Sequence, residues 1–276
     1  MIMIWLFVKK NFYEGWENIG NIIVANLLTL PFIALIFFGF IANGFINLFN
    51  GVGSMDLLMA GSLMFATPVL TVLAAGYAKC AVSIAEYETV KCADYFKNLG
   101  WAVKNTLGFG FILGFILTAC FVGIPFYSLV DPFYGPLFSG FLLFFSVILL
   151  LAFQWYIPLK AILGFKFKKT LGKCFDVLFD NFAFSLFMAL YSLVLFGLSV
   201  IIMFFMPGFS GIVLGYVNAL RLRLYKYDWL DQHKDKKGFK DRKNIPWEAL
   251  LKEDAAVVRS KSLKSLFLPW KANNED

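Results

Sequence analysis

Long runs without a single charge alternate along this chain with short polar stretches. Asn18 to Met55, Leu57 to Ala78, Thr106 to Val130, Pro132 to Leu159 and Asn181 to Leu220 contain no Asp, Glu, Lys or Arg. Leu137 to Leu159 alone is twenty-three uncharged residues. That is roughly 34 Å of helix at about 1.5 Å per residue, enough to cross a hydrocarbon core of about 30 Å. The run of forty from Asn181 is broken by Met206-Pro207-Gly208 and reads as a tight hairpin of two helices. The pattern predicts an all-α, polytopic membrane domain over residues 1–228 with six transmembrane helices, near 20–42, 57–79, 106–128, 137–159, 182–205 and 208–225. The sixth differs from the others. Only Gly208 to Leu220 is free of charge, so Arg221 and Arg223 must snorkel to the interface along their aliphatic stems.

The stretches leading into spans one, three and five are amphipathic. Phe12, Trp16, Ile19 and Ile23 oppose Glu14, Glu17 and Asn21. Phe96, Leu99 and Val103 oppose Lys97, Lys104 and Asn105. Phe167, Leu171, Cys174, Phe175, Leu178 and Phe182 oppose Lys169, Lys173, Asp176 and Asp180. Each predicts an interfacial elbow helix lying on the inner leaflet. Gly15-Trp16 returns as Gly100-Trp101, and Asn105 returns as Asn181 at the next span entrance but one, which suggests three diverged units of elbow plus helical hairpin. The alternative is that any loop returning to a membrane becomes amphipathic.

Composition narrows the class. Hydrophobic residues make up 60% of the 276 and Phe alone occupies 34 positions, more than a soluble core could enclose. The first apolar patch precedes Lys9-Lys10 and no small-residue cleavage site follows the next run, so the first span is expected to remain as an anchor. Basic residues fall only before span one, between spans two and three, between four and five, and from Arg221 onward, whereas the remaining connections hold only Asp56 and Asp131. The positive-inside rule then places both termini in the cytoplasm. The net charge of +7 is accounted for by topology and by anionic lipid of the inner leaflet, without nucleic acid.

Candidate chemistry is sparse. His233 stands alone in a polar tail, and Cys80, Cys92, Cys120 and Cys174 have no ligand-like spacing. No nucleotide-binding loop, hydrolase elbow or zinc-protease helix is present, so no enzyme, cofactor or metal site is expected. Inside the spans only neutral polar residues remain, chief among them Asn26, Thr67, Thr71, Gln154 and Asn218. These either bond helix to helix or line a path for a neutral solute. Gln154 lies four residues before Pro158 and is expected to bond the carbonyl that the proline frees. Gly110-x-x-x-Gly114 and Gly211-x-x-x-Gly215 predict close helix approach. Trp16, Trp101, Trp155, Tyr156, Lys160, Arg221 and Arg223 are expected as interfacial anchors.

Phe65-Ala-Thr-Pro-Val-Leu70, Glu86, Asp94-Tyr-Phe-Lys97, Lys104-Asn105, Tyr156-Ile-Pro-Leu159, the Lys168-Lys169-Thr-Leu171 elbow and Asn181 together resemble the YesL-like family of small bacterial membrane proteins. The resemblance covers about residues 10–228, departing at Asn43 to Met55 and beyond Tyr227, and implies a compact six-helix bundle in a bacterial cytoplasmic (cell) membrane without an established activity. The tail, 229–276, is expected to be cytoplasmic and basic, with a short helix after Pro246 and an amphipathic patch at Leu263, Leu266, Phe267 and Trp270. Two functions follow from these features. One is a non-enzymatic membrane accessory or scaffold that docks a membrane-protein partner such as a transporter subunit. The other is a small permease for a neutral, sugar- or polyol-like solute.

Overall fold

The computed structural model describes residues 2–50, 56–130, 132–232 and 245–260. His233, the 263–270 patch and Asp131 lie outside them. In chain order the helices are α1 (Ile2–Glu17), α2 (Ile19–Asn50), α3 (Asp56–Ala85), α4 (Cys92–Thr118), a π-helical turn (Ala119–Gly123), α5 (Ile124–Val130), α6 (Tyr134–Phe153), α7 (Tyr156–Leu163), α8 (Phe167–Asp180), α9 (Phe182–Ile201), α10 (Gly208–Gln232), α11 (Trp247–Leu250) and α12 (Lys252–Ser260). Five stretches are long and apolar enough to cross a membrane: Ile19–Gly44, Leu57–Ala85, Cys92–Ser128, Tyr134–Leu163 and Phe182–Ile201. The chain is therefore a multi-pass helical membrane protein by length and composition.

Its surface is sorted as hydrocarbon demands. On α6, Phe138, Phe141, Phe144 and Phe145 are exposed while Ser139 and Ser146 are buried, and on α9 Leu190, Leu193 and Val194 face outward while Ser185 and Ser199 are enclosed. Polar groups that cannot reach water find partners inside: the Ser199 hydroxyl donates to the Leu195 carbonyl and accepts from the Gly208 amide. Helices approach most closely where side chains are smallest. A side chain on Gly110 of α4 would collide with the backbone of Pro68 on α3, and Gly114 lies against Met64. The first small-residue motif thus works between α3 and α4. In the second, Gly215 meets Tyr191 and Asn11 of two other helices, whereas Gly211 meets only nearby Pro207.

The sequence's sixth span, α10, is absent from the five apolar stretches because Arg221, Arg223 and Lys226 lie within it. Yet it is enclosed by other helices, packing on α3, α9, α1, α2 and α7. Leu214, Val217, Asn218, Ala219, Leu220 and Leu222 are all buried. Because protein rather than lipid surrounds it, it does not need a continuous apolar surface. Its start is held by a turn in which Gly208 takes a left-handed φ of 59° and packs on the Asn26 amide.

The three expected elbows are built in three different ways. The second is not a separate helix, since α4 runs unbroken from Cys92 through Asn105 into the span. In the first, Glu14 is buried and Phe12 is exposed, so α1 turns its polar side toward protein. Only α8 is a discrete helix with divided faces. It begins after the left-handed Gly164, buries Cys174, Val177 and Leu178 against the bundle, and leaves the Lys173–Asp176 pair outside.

Candidate functional site

A cavity of about 320 Å³ opens where α2, α3, α4, α6, α7 and α10 converge. Its walls are mainly apolar, from Ile36, Leu70, Ala74, Leu113, Phe153 and Val213 among others, and none of the described residues lining it is charged. Four polar side chains interrupt this lining: Thr67 and Thr71 on α3, Gln154 at the end of α6, and Tyr216 on α10.

The backbone between α6 and α7 sets the position of Gln154. The helix stops at Phe153, Gln154 and Trp155 form a turn, and α7 restarts at Tyr156. Pro158 is then the third residue of a new helix, where its missing N–H removes no intrahelical bond. The expected role of Gln154 as partner to a proline-freed carbonyl is corrected accordingly. Its Nε2 donates instead to the Ser185 carbonyl of α9 at 3.1 Å, and its Oε1 accepts the Tyr216 hydroxyl at 2.9 Å. The Thr71 hydroxyl donates to the Thr67 carbonyl one turn earlier at 2.8 Å. Thr67 is 4% exposed, and its own hydroxyl has no hydrogen-bond partner.

Asn26 and Asn218 are not at the cavity. Asn26 donates to the carbonyls of Phe205 and Pro207 at 3.1 and 3.0 Å and accepts from the Ser210 amide at 2.9 Å, so it pins the α9–α10 turn. Asn218 donates to Glu14 Oε2 at 2.6 Å and to Asn11 Oδ1 at 3.3 Å, while Asn11 donates to the Tyr191 hydroxyl at 2.7 Å. These are hydrogen bonds between helices rather than a lining.

Asn218 leads to a second polar centre, on α1, that the sequence did not reveal. Lys10 is 1% exposed and lies 3.5 Å from Glu14 Oε1 and 2.6 Å from Asp254 Oδ1. It also donates to the Tyr87 hydroxyl and the Ala85 carbonyl. Asp254 accepts in addition from Tyr87 at 2.7 Å and Tyr225 at 3.0 Å. Burial alone would raise the Asp254 pKa, but the Lys10 ammonium and these hydroxyls outweigh it and hold the carboxyl below its usual range. The Tyr87 hydroxyl is pushed up by its burial and by the Asp254 carboxylate beside it. Asp254 belongs to α12, so this part of the tail folds back onto its own bundle, with Leu251 and Val258 buried as well. The spacing of Lys10 and Glu14 by one helical turn within an apolar helix was the available signal.

The expected anchors divide in two. Trp155 and Tyr156 are fully buried and Lys160 is 6% exposed, so none of the three sits in a lipid headgroup layer. Trp155 Nε1 donates to the Ser185 hydroxyl at 3.0 Å, and Tyr156 stacks on Phe109 with ring centroids 3.7 Å apart. Lys160 donates to the Phe165 carbonyl at 2.6 Å. Arg223 lies over the Phe184 ring at 3.9 Å instead of reaching for water, and Arg221 is 3.5 Å from Glu86. Trp16 stacks on Phe12, and Trp101 carries the Lys79 ammonium 4.7 Å above its ring. Helix breaks and helix–helix contact, not lipid, claim most of these residues. Among the described residues no group of three or more His, Cys, Asp or Glu could hold a metal ion.

The fold and its cavity define a class, a multi-pass helical membrane protein with a neutral chamber at the meeting of its spans. Comparison with protein-family models, with curated proteins and with solved structures gives no match for this chain.

Proposed function

We propose that this protein is a non-enzymatic membrane carrier or permease that takes a small neutral molecule into its bundle. The observation that supports it is the 320 Å³ cavity, within the range of about 300–1,000 Å³ typical of ligand sites, with three of the five polar positions singled out in the sequence on its wall. An ion-coupled or charged-substrate mechanism finds no support there, since charges on a transport path are usually set within the membrane itself and none of the described lining residues is charged. The accessory or scaffold reading drew on a tail free to dock a partner. Its docking patch at 263–270 lies outside the described residues, while 245–260 bury Leu251 and Val258 and bind α1 and α10 through Asp254. In this reading α10 is a sixth span shielded by the other five, both termini are cytoplasmic, as the distribution of basic residues favours, and the membrane is the bacterial cell membrane that the YesL-like resemblance implies.

Filling the chamber tests it. Ala74→Phe places a ring in the cavity, whereas Leu190→Phe places the same ring on an outward face where Leu190 is 56% exposed. Proteins purified in lipid nanodiscs are extracted with organic solvent and the retained small molecules compared by mass spectrometry. A species kept by the wild type and by Leu190→Phe but lost from Ala74→Phe is the expected result. Identical extracts from all three would sink the proposal.

A further inference from the structure

The lining chemistry says more about the ligand than that it is neutral. The geometry points to a predominantly apolar molecule with a single hydroxyl or carbonyl end, and not to a sugar or polyol; this inference rests on the carrier reading above. Hydrogen-bond accounting carries it. Of the cavity's polar groups, Thr71 donates to Thr67, Tyr216 donates to Gln154, and Gln154 gives one of its two amide hydrogens to Ser185. What remains is the second Gln154 hydrogen, spare acceptor capacity on hydroxyl oxygens, and the Thr67 hydroxyl, which is buried and has no partner.

That is enough for one polar group on a ligand. A hydroxyl or carbonyl can accept from Gln154 or from Thr67, and a buried hydroxyl without a partner is costly enough that an incoming one is favoured. A polyol brings a hydroxyl on nearly every carbon. Most would face Leu70, Leu113, Phe153 or Val213, each unpaired hydroxyl costing on the order of 1–3 kcal/mol. The volume sets the size, since 320 Å³ holds roughly ten water-sized groups at about 30 Å³ each. An eight-carbon alcohol or ketone is of that order, while a full lipid acyl chain with its headgroup is too large.

The experiment uses the full chain in lipid nanodiscs and three photoreactive diazirine probes: an eight-carbon alcohol, the matching hydrocarbon, and a five-carbon polyol. Adducts are located by peptide mass spectrometry. The expected result is that the alcohol labels peptides containing Thr67 to Ala74 or Val213 to Tyr216, is displaced by unlabelled octan-1-ol and not by xylitol, and exceeds the hydrocarbon there. Thr67→Val, which removes one hydroxyl at nearly constant volume, and Gln154→Leu should each reduce alcohol labelling by about threefold to tenfold, the effect of one hydrogen bond. Neither should change labelling by the hydrocarbon, which separates loss of recognition from loss of fold. If the polyol labels these peptides and the alcohol does not, or if alcohol and hydrocarbon label equally, the ligand class is wrong while the carrier reading stands. If no probe labels them, and wild-type and Ala74→Phe extracts agree, both fail together.

Discussion

Removing the Asp254 carboxylate should release the C-terminal helices from the bundle. Lys10, 1% exposed in the native fold, loses its partner at 2.6 Å in Asp254→Ala, and the hydroxyls of Tyr87 and Tyr225 lose the oxygens they donate to. Breaking a buried pair by deleting one member costs about 3–5 kcal/mol. Lys10 keeps Glu14 at 3.5 Å and the Ala85 carbonyl at 3.3 Å, so the lower end of that range applies. About 3 kcal/mol corresponds to roughly a hundredfold rise in the population of the undocked segment. The readout is amide hydrogen exchange over 247–260 in nanodiscs, where local opening sets the rate. Lys10→Met should open the segment further, because it leaves the Asp254 and Glu14 carboxylates without the ammonium between them. The pH dependence has a definite sign. A carboxyl held below its usual value of 3.8 contributes stability above that pH and loses it as pH falls through the depressed value. Docking should accordingly be flat between about pH 5 and 8 and weaken only in strong acid. Exchange over 247–260 that changes less than about threefold in Asp254→Ala would refute the account, given the hundredfold effect expected from the pair.

Two further outcomes follow from the geometry. Gln154→Leu should lower thermal stability by about 1 kcal/mol, typical of polar contacts between membrane helices. Tyr216→Phe should be non-additive with it, because the two share one hydrogen bond, whereas Pro158→Ala should not soften the loss; additive Gln154 and Tyr216 effects in melting curves would count against the bond. In permeabilised membranes an impermeant maleimide should modify exposed Cys92 and leave Cys174 untouched, because Cys174 is fully buried and burial pushes its thiol up to about 12. In intact cells Cys92 should not react, and rapid labelling there would overturn the cytoplasmic assignment of its loop.

Membrane class, helical content and most span positions could be read from the chain alone. A charge-free run long enough to cross a bilayer has few folded alternatives, because lipid leaves the backbone no partner but itself. The polar residues within those runs were equally visible: with so few available, Thr67, Thr71 and Gln154 stood out before their shared cavity was known. What they bond to was decided by three-dimensional packing. Gln154 turns toward Ser185 and Tyr216 because the helix breaks before Pro158, and Trp155 and Tyr156 look like interfacial residues but are enclosed by α4, α8, α9 and α10. Charge patterning misread the polar side of α1 and the arginines of α10 for the same reason. A hydropathy profile treats every non-aqueous neighbour as lipid, yet α10 is surrounded by protein, and Lys10, Glu14 and Asp254 become compatible with burial only when residues 244 positions apart are brought together. Local sequence sets what a helix can tolerate around it, and long-range contact decides whether lipid, water or another helix supplies that surrounding.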